Sequence, residues 1–399
     1  MTTVAEEVQS VETQHILQVY KRLPIVLVRG NGSRVVDAEG REYIDLLSGL
    51  GVVALGHAHA GLAHAIGAQA QELLHTSNLF FHILQGQVAA RLAALSGLPR
   101  AFFCNSGTEA VEACLKFARR YWHTKGDTDR KGIVAFERSF HGRTFGSLSV
   151  TSGSAYRDPF EPLVPGVTFV SPDDPDALQR AVSDTTAAII IEPIQGEGGV
   201  WPISPTMAKA IGAACAGTGT LLIADEIQCG LGRTGRPFYS AVLGLQPDLM
   251  ALGKALGAGV PVGAALLSEP VADAVAFGDH GSTYGGNLLA CRAALVFLDA
   301  LESGLLTRVG EAGARLERGL RALADARPVI GEIRGAGLMW GLDTKPSVAE
   351  RMVPAALEHG LIINCTAATV IRLLPPLTIS DADIDEGLTR LGAAFDDVT

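Results

Sequence analysis

The sequence predicts an α/β chain whose larger part is a mainly parallel sheet with helices on both faces. Apolar runs of four or five residues recur between helix-period stretches, each run is apolar throughout rather than alternating, and Gly, Pro or acidic residues bound it. Continuous apolar character marks strands buried on both faces, and strand–helix alternation marks parallel crossovers, which are right-handed.

In chain order, the first 55 residues hold strand-like runs at 25–29 and 34–37 with a turn at Ala38-Glu-Gly-Arg41. They are expected to pack with the C-terminal part. Strands are expected at 101–104, 132–136, 167–170, 187–191, 220–224 and 248–252. Helices are expected between them, as at 109–121, where Val111, Cys114, Leu115 and Ala118 fall on one face, and at 207–216. Long helices follow over 287–323. Beyond Pro328 come short glycine-bearing strands from Ile333, a helix at 349–359 and a strand from Val370, which read as a smaller α+β unit. The expected division is therefore 1–55, 56–290 and 291–399. No tandem repeat or Ser/Gly linker separates these parts, so they are expected to be held rigidly together.

Composition narrows the function. With 48% hydrophobic and 19% charged residues, the 399-residue chain is not a disordered one. A net charge of −10 argues against nucleic acid as a partner, since that binding needs a dense basic surface. The longest uncharged apolar run, 255–268, falls short of the roughly 18 residues that cross a bilayer, so no membrane partner is expected. The beginning, Met1-Thr-Thr-Val-Ala-Glu-Glu-Val, is acidic and lacks an apolar core, which makes the cytoplasm the expected location. Cys104, Cys114, Cys215, Cys229, Cys291 and Cys365 are scattered without a C-x-x-C, as reduced core thiols are. The histidines lack metal-ligand spacing, so no metal site is expected.

Open parallel sheets bind ligands at the carboxyl ends of their strands. The run ending at Cys104 continues Asn105-Ser106-Gly107-Thr108-Glu109, a capping-box pattern with a glycine at a helix start. Such a start holds phosphate, although alone it is an ordinary capped helix. The run ending at Ala224 delivers Asp225-Glu226-Ile227-Gln228, and the run ending at Ile191 delivers Glu192. A carboxylate there can cap a helix, bind a metal or pair with a protonated heterocycle. The run ending at Leu252 delivers Gly253-Lys254. Of the lysines 21, 116, 125, 131, 209, 254 and 345, only Lys254 sits among small apolar residues. Burial favours the uncharged amine, which is the form that attacks an aldehyde. A phosphate cradle, a carboxylate and a nucleophilic lysine at neighbouring strand ends together describe a pocket for pyridoxal phosphate. Phe140-His141-Gly142-Arg143, after the strand at 132–136, can set an aromatic face against its ring.

With these residues assembled, the chain resembles the class III acetylornithine/ornithine aminotransferases. The motifs are Asn105-Ser-Gly-Thr-Glu-Ala, Phe140-His-Gly-Arg-Thr, Glu192-Pro-Ile-Gln-Gly-Glu-Gly-Gly-Val, Asp225-Glu-Ile-Gln, Leu231-Gly-Arg-Thr-Gly and Gly281-Ser-Thr-Tyr-Gly-Gly-Asn. The resemblance implies fold type I of the pyridoxal-phosphate enzymes, with a mainly parallel seven-stranded sheet plus a smaller α+β domain. It also implies a cofactor site made by Gly107, Thr108, Phe140, Asp225, Glu226, Ile227, Gln228, Lys254 and Thr283. In it Gly107 and Thr108 give backbone N–H groups to the phosphate, Phe140 and Ile227 flank the ring, and Asp225 pairs with the ring nitrogen. Gln228 reaches the phenolic oxygen, Lys254 joins the cofactor and shuttles protons, and Thr283 reaches the phosphate of the neighbouring subunit's cofactor in a homodimer.

The same resemblance places substrate on Arg143, Glu197, Ser282 and Arg372. Arg143 takes the donor's α-carboxylate while Glu197 neutralises Arg372, and Glu197 moves aside when 2-oxoglutarate brings a second carboxylate. A permanent Glu197–Arg372 pair is the alternative. The implied reaction moves the terminal amine of N2-acetyl-L-ornithine to 2-oxoglutarate, giving N-acetyl-L-glutamate 5-semialdehyde and L-glutamate, a step of arginine biosynthesis. Other donors implied by the class are a carrier-protein-linked lysine, ornithine and 4-aminobutyrate, and an aminomutase is the more distant relative. Val53 and the stretch 79–82 depart from the family pattern at the expected substrate mouth.

Overall fold

The computed structural model describes residues 3–399, so the first two residues of the N-terminal reading and of the 1–55 segment lie outside it. Seven strands form the central sheet: β1 (Arg100–Cys104), β2 (Gly132–Phe136), β3 (Val167–Val170), β4 (Thr186–Ile191), β5 (Leu221–Asp225), β6 (Leu249–Leu252) and β7 (Gly263–Leu267), in the spatial order β1-β7-β6-β5-β4-β2-β3. Neighbours from β6 through β3 run parallel, and β7 is antiparallel to both β6 and β1, so it alone is reversed. This is the mainly parallel seven-stranded sheet of the expected fold.

Every residue of β4 and β5 is buried, which is why these runs carry no polar alternation. Alternate side chains serve the two faces. Ile190 and Ile223 pack with Val111, Cys114 and Phe117 of the helix Gly107–Thr124. Ile189, Ile191 and Leu222 pack with Met207 and Ile211 of the helix Pro205–Thr218. Two apolar layers thus clamp the sheet and leave its polar strand ends as the one place for chemistry.

β7 was not among the runs read as strands. Its Gly-Ala-Ala-Leu-Leu merges with the Gly- and Pro-broken stretch before it, and it starts on glycine because a Cβ on Gly263 would lie 2.2 Å from the Ser106 carbonyl oxygen. At the other end of the chain, Leu361 pairs in parallel with Ile44, so the N-terminal strands Leu27–Asn31, Arg34–Asp37 and Glu42–Asp45 share a sheet with Leu361–Ile362. Arg34 Nη2 adds an ion pair to Asp383 at 2.6 Å, tying the same segment to the helix Asp381–Val398. The long helical stretch is Leu288–Ala300 and Leu306–Ala326, joined by a π-turn at Leu301–Leu305. The strands Ile333–Ala336, Met339–Asp343, Asn364–Thr366 and Val370–Leu373 make a second small sheet.

Candidate active site

The carboxyl ends of β1, β2, β4, β5 and β6 converge on a cavity of about 310 Å³ lined by Ser106, Gly107, Thr108, Phe140, His141, Gly142, Arg143, Glu192, Glu197, Asp225, Ile227, Gln228 and Lys254. Lys254 directly follows Gly253 at the end of β6 and holds a left-handed φ of +40°. That turn aims its amine back over the sheet end. Burial lowers the Lys254 pKa, Glu197 and Asp225 pull it back up, and Arg372 adds to the lowering. The net direction is down, toward the uncharged amine.

The helix Gly107–Thr124 starts at the cavity wall. Ser106 caps it, accepting from the Glu109 N–H at 3.3 Å and donating to Glu109 Oε2 at 2.7 Å. The return arm of the capping pattern goes to the amide of Asn105 (3.0 Å) rather than to that of Ser106. The Gly107 and Thr108 amides belong to the first turn, where the chain has no partner for them, so they are free to meet an anion. A Cβ on Gly107 would sit 2.8 Å from Ile227 Cδ1, so the close approach requires glycine. The Thr108 hydroxyl is bound within the loop that follows β2, to Ser147 Oγ at 2.6 Å and from the Arg143 N–H at 3.2 Å. Thr108 therefore has only its backbone to offer.

Behind the cavity lies a buried acid–histidine pair. His141 Nδ1 is 2.7 Å from Asp225 Oδ2, and Asp225 Oδ1 accepts from the Ile227 N–H at 3.1 Å. His141 Nε2 is buried without a partner. The tautomer with Nδ1–H donating to Asp225 leaves a bare acceptor at Nε2, which costs less than stranding a second N–H. Glu192 accepts from the Phe140 N–H (2.8 Å) and the Gly196 N–H (3.0 Å), fixing the loops after β2 and β4 against each other. Burial pushes the Glu192 carboxyl up to about 7, with Asp225 adding to the rise and His141 opposing it.

A second polar group borders Lys254. Arg372, on the strand Val370–Leu373, donates to Glu197 Oε1 at 2.5 Å, to Gln228 Oε1 at 3.3 Å and to Asn364 Oδ1 at 3.2 Å. Burial alone would raise the Glu197 pKa, but the Arg372 guanidinium, aided by Lys254, holds it below the usual carboxylate range. Arg143 stands at the mouth of the cavity, exposed, with its guanidinium 3.9 Å above the Tyr156 ring. The two arginines therefore rest on different partners, a carboxylate for one and an aromatic face for the other.

Of the residues named from sequence, Gly107, Thr108, Phe140, Arg143, Glu197, Asp225, Ile227, Gln228 and Lys254 come together in this one cavity, with Arg372 bonded to its wall. Glu226 does not join them. Its fully buried carboxylate accepts from the Ser240 N–H at 2.6 Å and from the Cys229 thiol at 3.1 Å, beneath the site. Alternate residues after a strand point to opposite sides, so Glu226 braces the loop beneath the cavity and does not line it. Ser282 and Thr283 lie on a separate loop, where Ser282 Oγ meets Asn105 Nδ2 at 3.3 Å and Thr283 is exposed. Val53 and the stretch 79–82 also stand apart from this cavity. Glu192, read from sequence only as a strand-end carboxylate with several possible roles, lines the cavity, and His141 and Tyr156 carry no sequence signal of the contacts they make here.

The cavity fits a phosphorylated heteroaromatic aldehyde. Free helix-start amides suit its phosphate, a glycine gap admits its ring beside Ile227, and a buried carboxylate and a lysine of lowered pKa suit a ring nitrogen and an aldehyde.

Comparison with known proteins agrees with this chemistry. Residues 17–395 match the sequence profile of the family described as aminotransferase class-III. The chain is 44% identical over 388 residues to an acetylornithine aminotransferase of Methanocaldococcus jannaschii, covering 97% of this chain and 97% of that protein. Among solved structures, the ornithine aminotransferase of Toxoplasma gondii superposes with a TM-score of 0.95 at 33% identity, over 100% of this chain and 95% of that one. The N-acetylornithine aminotransferase of Stenotrophomonas maltophilia superposes with a TM-score of 0.84 at 34% identity, over 97% of this chain and 98% of that one. With a profile match that spans nearly its whole length and such identities to full-length relatives, the chain belongs to the class-III aminotransferases.

Proposed function

We propose that this pyridoxal-phosphate enzyme moves the terminal amino group of N2-acetyl-L-ornithine to 2-oxoglutarate, giving N-acetyl-L-glutamate 5-semialdehyde and L-glutamate, as a step of arginine biosynthesis. The observation that carries the choice is the Glu197–Arg372 pair beside Lys254, opposite an Arg143 that keeps its guanidinium edge free. A donor with one carboxylate needs one guanidinium, and a dicarboxylate acceptor needs two. The 44% identity to an acetylornithine aminotransferase supports the same donor.

When bound, the cofactor supplies the aldehyde that takes the amino group and a protonated ring that withdraws electrons. The chain's own groups do the rest. The Gly107 and Thr108 amides hold the phosphate, and Phe140 and Ile227 enclose the ring. Asp225, steadied by His141 and the Ile227 amide, accepts from the ring N–H. Gln228 turns its Oε1 to Arg372 and leaves its amide N–H for the ring oxygen. Lys254, its amine pKa lowered by burial, would hold the cofactor through its aldehyde carbon and, once the substrate amine has displaced it, would carry the proton between the two carbons that exchange it. Arg143 holds the donor's α-carboxylate, Ser282 lies near the substrate, and Glu197 leaves Arg372 when the acceptor's second carboxylate arrives.

The working unit in this reading is a homodimer in which Thr283 of one copy reaches the cofactor phosphate of the other. The loops carrying residues 75–83 and 280–286 touch through His75 and Tyr284, with ring centroids 5.4 Å apart, and expose Phe80, Phe81 and Tyr284. Such a patch calls for a covering surface. In this reading the chain divides into 1–55, 56–290 as the cofactor-binding unit and 291–399; the parallel pairing of Leu361 with Ile44 supports the packing of 1–55 with the C-terminal unit. Among the described residues no helix is long and apolar enough to cross a membrane, and the reading places the enzyme in the cytoplasm.

A coupled assay of glutamate formation across donors tests the assignment. N2-acetylornithine should show the highest kcat/KM against ornithine, 4-aminobutyrate and lysine derivatives. A higher value for any of these overturns the donor, and loss of the yellow absorbance that 2-oxoglutarate cannot restore would indicate an aminomutase.

A further inference from the structure

Arg143 is placed at the cavity mouth without a carboxylate to hold it. A long exposed side chain has many rotamers, and fixing one costs free energy at the moment of binding. Here the fixing is done in advance. The guanidinium carbon lies 3.9 Å above the Tyr156 ring and 5.6 Å from that of Phe140. Stacking uses the face of the guanidinium and leaves its N–H edge unspent, whereas an acidic partner would occupy the very donors a substrate carboxylate needs.

Tyr156 is itself seated. It belongs to the single turn Ser154–Arg157, and its N–H donates to the Gly153 carbonyl at 3.0 Å. A Cβ on Gly153 would lie 2.9 Å from Tyr156 Cδ2, so the ring lies back on backbone that only glycine leaves open. Thr151, just before it, accepts from the His141 N–H at 2.9 Å and donates to the Ser147 carbonyl at 3.1 Å. The segment is thus anchored to the loop that carries Phe140 and Arg143. The Tyr156 ring meets Phe140 edge-on, with centroids 6.2 Å apart at 82°.

We propose that Tyr156, seated on Gly153, is a positioning residue that presents the Arg143 guanidinium to the carboxylate of the amine donor and so helps set the enzyme's preference for carboxylate-bearing amines. It rests on the reading of Arg143 as the donor's carboxylate clamp. Arg143 stays armed in every state, while Arg372 is released only when Glu197 departs.

The test uses holoenzyme and two amines of equal chain length, 5-aminopentanoate and pentylamine, and follows the loss of cofactor absorbance. The readout is the ratio of their kcat/KM values. Any loosening of Phe140 acts on both amines and cancels. In Tyr156→Ala the ratio should fall about ten-fold through KM, as expected for a lost cation–π platform. Tyr156→Phe keeps an aromatic face and should stay within about two-fold of wild type. Gly153→Ala retains both side chains but unseats the ring, and its ratio should also fall. An unchanged ratio in Tyr156→Ala or Gly153→Ala overturns the proposal, as does an equal fall in Tyr156→Phe. Wild-type enzyme that shows the ratio but leaves N2-acetylornithine unreacted refutes the donor assignment and leaves the platform standing.

Discussion

Arg372 donates to Glu197 at 2.5 Å through one terminal nitrogen, while its other, Nη2, is fully buried and unpartnered. A buried donor left in this way costs about 1–3 kcal/mol, so the pair is only half satisfied. A substrate carboxylate arriving in place of Glu197 can engage both nitrogens as a fork. In Glu197→Gln the guanidinium loses its charged competitor, and KM for 2-oxoglutarate should fall by about ten-fold. Steady-state kinetics at saturating donor measure this. A KM that stays the same while thermal stability drops would show a permanent structural pair instead.

Lys254 supplies a different prediction. Its amine is the group of lowered pKa at the end of β6, and other contacts hold the rest of the cofactor, so Lys254→Ala should keep the cofactor noncovalently yet lose at least about three orders of magnitude in turnover. Absorbance after gel filtration reports retention, and coupled glutamate formation reports turnover. Activity near that of wild type would remove Lys254 from the chemistry.

Glu192 predicts how stability follows pH in the cofactor-free enzyme. Burial raises its folded-state pKa to about 7, above the ordinary carboxylate value of 4.5 that the unfolded chain keeps. Between those values the folded state holds the proton more tightly, unfolding releases it, and stability therefore declines as pH rises through the window. The loss is on the order of 3 kcal/mol, flat above the upper limit. Lys254 has the opposite sign, since a lowered amine pKa makes the unfolded state bind the extra proton, and stability rises with pH between its lowered folded pKa and the ordinary 10.5. Chemical denaturation of wild type and Glu192→Gln at pH 5 and pH 8 isolates the first effect. Parallel curves for the two proteins would show that Glu192 does not titrate there.

Most of the sheet was legible in the sequence because doubly buried strands advertise themselves as unbroken apolar runs, as β4 and β5 do. β7 was not, because its small residues merge with the Gly- and Pro-broken stretch before it, and the Ser106 carbonyl leaves no room for a larger residue at Gly263. Lys254 stood out for the same reason as the strands, by the contrast between its charge and its neighbours. His141 could not be found this way. Its partner Asp225 is 84 positions distant, and a loop histidine has no periodicity to betray the contact. Glu226 sits in the same motif as three cavity residues, and only the alternation of side chains at the end of β5 sends it to the other side.

The cradle at Gly107 makes a steric prediction. An alanine there would press its Cβ to 2.8 Å from Ile227 Cδ1 and 2.9 Å from Cγ2. Ile227 would have to yield into the space meant for the cofactor ring. Gly107→Ala should weaken cofactor affinity by about ten-fold, since overpacking costs roughly 1–3 kcal/mol. Adding Ile227→Val removes the Cδ1 methyl and should restore part of the loss. Equal cofactor affinity in wild type and Gly107→Ala, read by absorbance titration, would show that the helix start has slack.

The proposed homodimer gives the last test. Phe81 is 106% exposed, and the chain holds it there through His82, whose Nε2 lies 2.7 Å from the Gly286 carbonyl oxygen, on the same pair of loops that carries Thr283. With Phe80 and Tyr284 exposed on the same two loops, Phe81 forms an apolar face that suits a covering surface. Phe81→Glu puts a charge into that contact, at a cost of about 3 kcal/mol or more if it is buried unpaired. Light scattering at micromolar concentration should then find monomer. Glutamate formation should fall by more than about ten-fold, because Thr283 no longer reaches the neighbouring phosphate. Val242→Glu, a charge on the exposed end of the short helix Tyr239–Val242, should leave the dimer and the rate as they are. A dimeric, fully active Phe81→Glu would move the interface elsewhere and leave Thr283 without its proposed role.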